Sequence, residues 1–368
     1  MNARFKAWAW QGVAVLAVAA VVLWFSHNLS VNLAVRGMEI DFGFLLRRAG
    51  FDIPFRLVDW ESSYPYGWAL YVSGLNTLLA SSLIVVLASL LGLLLALMRL
   101  SGNPLAAGTS RAIIELVRNT PQLVQIVFVY VAVLQVLPPM RQSIGWFGAI
   151  FLNVRGLYLP APSGTLYEGI LAATCLVVLL AALLWRRLGW QQVPRLVVLP
   201  PVLVLGAVVA GFTASWDLPS LKGFNFTGGL RVTPELLALV LGIGIYTSVF
   251  IAEIIRAAIE GIHRGQTEAA RSLGLSSNQS MFLVILPQAL RILIPPLTSQ
   301  YLNIIKSTTL GAAIAYPEIL QIFARTVLNQ SGRAVEVMTL VLGVFLAVNL
   351  LTSAAMNHWN RRLALQGR

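Results

Sequence analysis

One cysteine, three histidines and three lysines in 368 residues leave little room for several kinds of chemistry. Cys175 lies inside an apolar run, so no disulfide framework or thiolate metal site can form within the chain. His27, His263 and His358 are far apart in sequence, which argues against a histidine metal cluster. No G-x-x-x-x-G-K-[ST] loop is present, and Lys306-Ser307 lacks the glycines that would cradle a phosphate. Charge is scarce too: 11% of residues are Asp, Glu, Lys or Arg, against about 25% in a soluble domain. The net charge of +12 does not indicate nucleic acid, because such readers gather basic residues on one solvated face, often with lysine prominent. Here the lysines are Lys6, Lys222 and Lys306, and the arginines sit mainly at the ends of apolar runs.

What the chain has in quantity is hydrocarbon. It is 58% hydrophobic, with a mean hydropathy of +0.79. A helix needs about 20 apolar residues to cross a bilayer. Eight runs qualify: Trp8–Phe25, Gly67–Met98, Ile113–Leu137, Glu168–Trp185, Leu196–Phe212, Glu235–Ile255, Leu290–Leu310 and Val335–Met356. Ile144–Val154 is too short to cross and reads as interfacial. The first run follows Arg4 and Lys6 as a signal peptide would, but no small-residue cleavage site follows it, so a retained span is expected.

The Lys/Arg bias orients these spans, because basic flanks resist translocation. With the N-terminus inside, the cytoplasmic side holds 15 Lys and Arg against four acids, and the outside holds ten of each. Both termini are then cytoplasmic. The expectation is an all-α polytopic membrane protein of about eight transmembrane helices. Four sections follow: an extra span with an external segment over 1–66, a first core part over 67–137, an inserted helical hairpin with external flanks over 138–231, and a second core part over 232–368. Trp8, Trp24, Trp68, Trp185 and Trp359 near span ends read as interfacial anchors.

The cytoplasmic stretch 256–291 has its own helical design where a short turn would have sufficed. Thr267 suits an N-cap, Glu268 the positive end of the helix dipole, and Gly274 the left-handed residue that closes a helix. Ala269, Ala270 and Leu273 form a small apolar face. Ser276 or Ser277 would cap the next helix, running through Met281–Leu286 until Pro287 breaks it. Such a helix can enter a cleft on another protein or lie on the headgroups, and the residues leave both open.

Polar groups inside spans are costly unless paired or wetted, so they are functional suspects. Asn76 and Thr77 fall near the outer end of the second run, Tyr246, Thr247 and Ser248 near mid-span, and Asn303, Lys306, Ser307, Thr308 and Thr309 in the outer half of the seventh. Hydroxyls can instead bond back to their own helix. Lys306 can snorkel outward or meet a carboxylate. Pro295-Pro296 predicts a kink. Glu253 with Arg256, and Glu260 with Arg264, have the spacing of helix-surface ion pairs.

Glu268-Ala269-Ala270, then Gly274, then Ile285-Leu286-Pro287 resemble the EAA loop of ABC-importer permeases. Gly74-Leu75-Asn76-Thr77-Leu78, Arg99-Leu100-Ser101, Glu115–Pro121 and Ala252–Arg256 resemble the polar-amino-acid branch of that family. The likeness covers about 67–137 and 232–356, and the additions resemble the longer permeases of general L-amino-acid importers. It implies a type I importer (MetI-like) core in a bacterial inner membrane, moving acidic and amide amino acids. It implies a coupling helix carrying Thr267, Glu268, Ala269, Ala270 and Gly274, with Leu286 and Pro287 behind it. The implied partners are an ATP-binding cassette ATPase dimer that holds ATP and magnesium, a second homologous permease, and a periplasmic or surface solute-binding protein. No catalytic residue or cofactor is expected in this chain. An ion-coupled secondary transporter would show paired acids in spans and inverted repeats. A membrane enzyme would show a metal cluster or a nucleophile–base pair. Neither pattern is evident in the sequence, and an exporter would not explain the EAA-like loop.

Overall fold

The computed structural model describes residues 3–35, 40–162, 216–223 and 225–365. Among these, five helices are long and apolar enough to cross a membrane, or six if a bent pair counts as one span. The predicted hairpin Glu168–Trp185 and Leu196–Phe212 lies outside the described residues.

Helix α1 (Ala3–Val35) is followed by a connecting segment. Helix α2 (Tyr66–Leu100) is about 50 Å long, more than the ~30 Å hydrocarbon layer requires. The expected span Ile113–Leu137 is not one helix. It divides into α3 (Pro104–Arg118) and α4 (Gln122–Val136), bent by 100° across Asn119–Pro121. Pro121 removes a backbone donor at the corner, and the Gln125 side chain donates to the carbonyls of Val117 and Thr120 left without a helical partner. Both parts bury side chains in the bundle, Ile114 before the corner and Ile126 after it.

The flanks of the insertion are β structure, which corrects the all-α expectation. Strands β1 (Ile144–Trp146), β2 (Ile150–Asn153), β3 (Gly156–Leu159) and β8 (Leu230–Val232) form an antiparallel sheet in that order. Between them β4 (Ala161–Pro162) pairs with β5 (Trp216–Asp217), and β6 (Ser220–Lys222) with β7 (Asn225–Thr227). The run Ile144–Val154 was too short to span because it forms β1, a turn and β2. Gly156 shows why the sheet needs glycine: its φ is +124°, and a Cβ there would lie 2.1 Å from the Val232 carbonyl oxygen.

Helix α5 (Pro234–Glu260) is the centre of the bundle, packed on α2, α4 and the later helices. Small residues let the backbones approach, which is how membrane helices associate where lipid removes the hydrophobic drive. A Cβ on Gly92 would meet Ile251 at 2.7 Å, and one on Gly242 would meet the Ile126 Cα at 2.9 Å. After helix α6 (Arg264–Ser272) the chain makes one turn at Ser277–Ser280, a π-turn at Met281–Ile285, and enters α7 (Leu286–Ser307). Pro287 therefore does not end a helix: the widened turn absorbs it in the first turn of α7. Likewise α7 runs on through Pro295 and Pro296 without a break. A stretch of short helical turns over 308–331 leads to the last helix, α8 (Ala334–Leu365).

The segment between α1 and α2 is pinned to one end of this bundle. Phe44, Ile53, Trp60 and Tyr66 share a buried cluster with Val72, Phe323, Val327 and Val337. The Asp41 amide donates to Glu336 at 3.0 Å, and the Tyr66 hydroxyl donates to Gln330 at 3.0 Å.

Candidate coupling loop and exposed polar stripe

Helix α6 begins earlier than its sequence suggests. His263, not Thr267, is the N-cap: its Nδ1 accepts from the Gly265 amide at 3.1 Å. Thr267 and Glu268 therefore lie inside the helix, beyond the first turn where the dipole would favour the acid. The C-terminal end follows the expected chemistry. Gly274 has φ +79°, its amide donates to the Arg271 carbonyl, and the Leu275 amide donates to that of Ala270. That pair of bonds closes the helix as a Schellman motif. Ser276 then caps the next turn in a reciprocal capping box with Gln279.

The apolar residues of α6 divide between two faces. Ala270 is buried, Ala269 is exposed, and Leu273 is 81% exposed at the tip beside Gly274. Phe282 and Leu283, one turn further, are also exposed. A Cβ at Gly274 would meet nothing within 4 Å, so its left-handed backbone is what requires glycine. Leu286 is half-buried and Pro287 exposed. Behind the loop, Arg256 binds both Glu253 and Glu260, so Glu260 pairs with Arg256 rather than with Arg264. The Arg118 guanidinium lies over the Phe250 ring, 5.6 Å from its centroid.

The polar span residues separate into two groups. Asn76 is fully buried, and its amide donates to the carbonyls of Phe55 and Pro317, both at 2.9 Å. Thr77 donates to Ser73 and accepts from the Ile319 amide, and the Tyr316 hydroxyl donates to the Asn76 carbonyl. Thr308 is buried and bonds back to Ile305, Ser248 bonds back to Ile245, and Thr247 is buried. Tyr246 packs against Phe250 at 5.1 Å.

Asn303 and Lys306 differ: both are exposed on α7, with Ser299 one turn before them. Positions four and three apart share one helix face. Ile294 and Ile304 on the opposite side are buried. Ser307, half-buried, donates to Gln122 of α4 at 3.4 Å, and Tyr301 meets Ser89 of α2 at 3.0 Å. The sequence reading missed Ser299, Gln122 and Glu318. Glu318 is fully buried in the stretch over 308–331 and accepts from the amides of Leu320 and Gln321. An isolated acid after proline between two apolar runs was its signal.

Comparison with known proteins agrees with this architecture. Residues 188–365 match the family model described as binding-protein-dependent transport system inner membrane component. The chain is 45% identical to a putative amino-acid ABC transporter permease protein of Escherichia coli K12, over 99% of this chain and 95% of that one. It is 39% identical to a general L-amino acid transport system permease protein of Rhizobium johnstonii, over 98% and 93% of the two chains. It is 32% identical to a glutamate/glutamine/aspartate/asparagine transport system permease protein of Rhodobacter capsulatus, over 100% and 96%. A solved amino-acid ABC transporter with histidines shares the fold, with a TM-score of 0.50 and 21% identity over 81% of this chain and 95% of that one. The ATPase of such a transporter is a separate, ATP-binding subunit, in keeping with the missing phosphate loop. This chain belongs to the amino-acid ABC transporter permeases, as a multi-pass membrane subunit of a bacterial complex that includes an ATPase.

Proposed function

We propose that this chain forms half of an inward pathway for polar L-amino acids, acidic and amide ones included, with a second permease supplying the other half. The observation that carries this reading is the stripe Ser299, Asn303 and Lys306, polar and exposed on a helix at membrane depth. Lipid does not tolerate such a face, so water, substrate or another subunit must cover it. The ammonium of Lys306 suits an amino acid's carboxylate, and the amide of Asn303 suits either end. Asn76, Thr77, Thr247 and Thr308, buried inside the bundle, shape the path; Tyr246, Ser307 and Gln122 stand nearer its wall.

Helix α6 seats in the ATPase through Glu268, Ala269, Leu273 and Gly274. A paired ATPase dimer then drives alternating access, and an external solute-binding protein delivers the amino acid. The inner membrane is the location, with both termini cytoplasmic. The relatives' described substrates support the solute class. The test is uptake of labelled L-glutamate and L-glutamine by cells carrying wild type, Lys306→Ala or Lys306→Arg. The alanine variant should lose at least about tenfold of uptake and the arginine variant less, since one charge-assisted hydrogen bond accounts for roughly that factor. Uptake unchanged in the alanine variant would remove Lys306 from the path.

A further inference from the structure

The proposed function seats α6 in an ATPase; it does not say which membrane helix α6 moves. We infer that α6, the π-turn and α7 form one lever, pinned by Gln266 and Gln288 and hinged to α5 at Gly261–His263. The inference rests on the coupling role proposed above for α6.

The pin is a single side chain that touches three elements. The Gln288 amide at the start of α7 donates to Gln266 Oε1 in α6 at 3.1 Å and to the Val284 carbonyl in the π-turn at 2.9 Å. Around it the corner is closed. Ala270 is buried where α6 packs on Ser277–Ser280 and on the π-turn. Four non-helical residues, Leu273 to Ser276, lie between α6 and the next turn, and the Schellman bonds and the capping box hold them. From Ser277 to Ser307 the backbone stays helical throughout, about 45 Å of continuous rod.

The other side of α6 is built differently. Three non-helical residues, Gly261 to His263, separate it from α5. Among the described residues no side-chain hydrogen bond or ion pair joins α6 to α5; Glu253, Arg256 and Glu260 of α5 bind one another. Helix α5 is itself locked into the bundle by the close approaches at Gly92 and Gly242. The Gly261 and Ile262 amides do donate to Ala257 and Ile259, so a push on α6 meets a joint pinned by side chains and packing towards α7 and one held by backbone bonds alone towards α5. The far end of α7 carries Asn303 and Lys306, so the displacement reaches the polar stripe directly. Gln288 is a positioning residue in this scheme, acting through α7.

The experiment uses the whole transporter in proteoliposomes and reads amino acid moved per ATP hydrolysed. Gln288→Leu should keep the ATPase bound and hydrolysing while the transport-to-hydrolysis ratio falls roughly three- to tenfold, the effect of one hydrogen bond. Gln288→Glu, which can accept from the reoriented Gln266 amide but cannot donate to the Val284 carbonyl, should restore only part of the ratio. A ratio equal to wild type in the leucine variant overturns the pin. A second measurement places cysteines at Gln266 and Gln288 in a Cys175→Ser background and joins them with a short bifunctional thiol reagent. Transport that survives the bridge supports a lever that moves as one piece, and transport abolished by it overturns that lever. Failure of the wild-type complex to couple hydrolysis to uptake would instead sink the underlying assignment.

Discussion

The side-chain amide of Asn76 donates to the backbone carbonyl of Phe55, 2.9 Å away, and so bolts the segment between α1 and α2 to the buried face of α2. The same amide reaches the Pro317 carbonyl in the stretch over 308–331. Three separate parts of the chain therefore meet at one residue near one end of the bundle. Replacing it with alanine leaves two buried carbonyls without a donor, at about 1–3 kcal/mol each. Asn76→Ala should lower the melting temperature of the purified chain by several degrees, and Asn76→Asp, which cannot donate, by at least as much. An aspartate variant as stable as wild type would show that these bonds do not hold the segment.

Gly242 tests the packing of α4 on α5. A Cβ there meets the Ile126 backbone, which cannot swing aside as a side chain would. Gly242→Val should cost at least about 2 kcal/mol through overpacking and reduce the folded yield in membranes. Gly74→Val is the control, since a Cβ at Gly74 meets nothing within 4 Å. Equal yields of the two variants would refute the close approach.

Gly274 separates backbone strain from docking. Gly274→Ala strains a left-handed position by about 1 kcal/mol, without a clash inside the chain. Gly274→Asp adds a carboxylate where α6 would enter its partner. Affinity purification of the tagged chain should bring down the ATPase with wild type and with the alanine variant, and lose it with aspartate. Retention with aspartate would mean that α6 is not the docking helix.

Glu318 predicts a pH dependence. Burial pushes its carboxyl up to about 8, only partly offset by the two backbone amides that favour the charged form. Between the unperturbed 4.5 and about 8, the folded state holds a proton that the unfolded chain has released. Stability from this group therefore falls as pH rises through that window and levels off above it. Glu318→Gln should flatten the profile, with its largest relative gain above pH 8. Thermal unfolding from pH 5 to 9 checks this, and an unchanged slope would clear Glu318 of responsibility.

Much of this architecture was legible because lipid imposes strong local rules. Apolar length located α2, α5, α7 and α8, and capping chemistry located the left-handed Gly274 and the Ser276 cap in the loop between α5 and α7. The failures have a common cause. Thr267 looked like a cap, but His263 four residues earlier offered a ring nitrogen to the first free amide and the helix began there. Pro287 looked like a break, yet a π-turn accommodated it. Short strands in the insertion's flanks were invisible because two to four residues carry no readable period.

Composition and periodicity by themselves determined that the chain lives in a membrane and that one loop between spans carries a helix of its own. Those properties depend on residues close together in sequence. Tertiary structure alone decided which polar residues are spent and which are free. Asn76 and Thr77 are consumed by bonds to a stretch about 240 residues away, while Asn303 and Lys306 stay exposed. It also decided that α6 is tied to α7 through Gln266 and Gln288. The physical reason is that a hydrogen bond's partner is set by the packing of whole helices, and no short window of sequence encodes it.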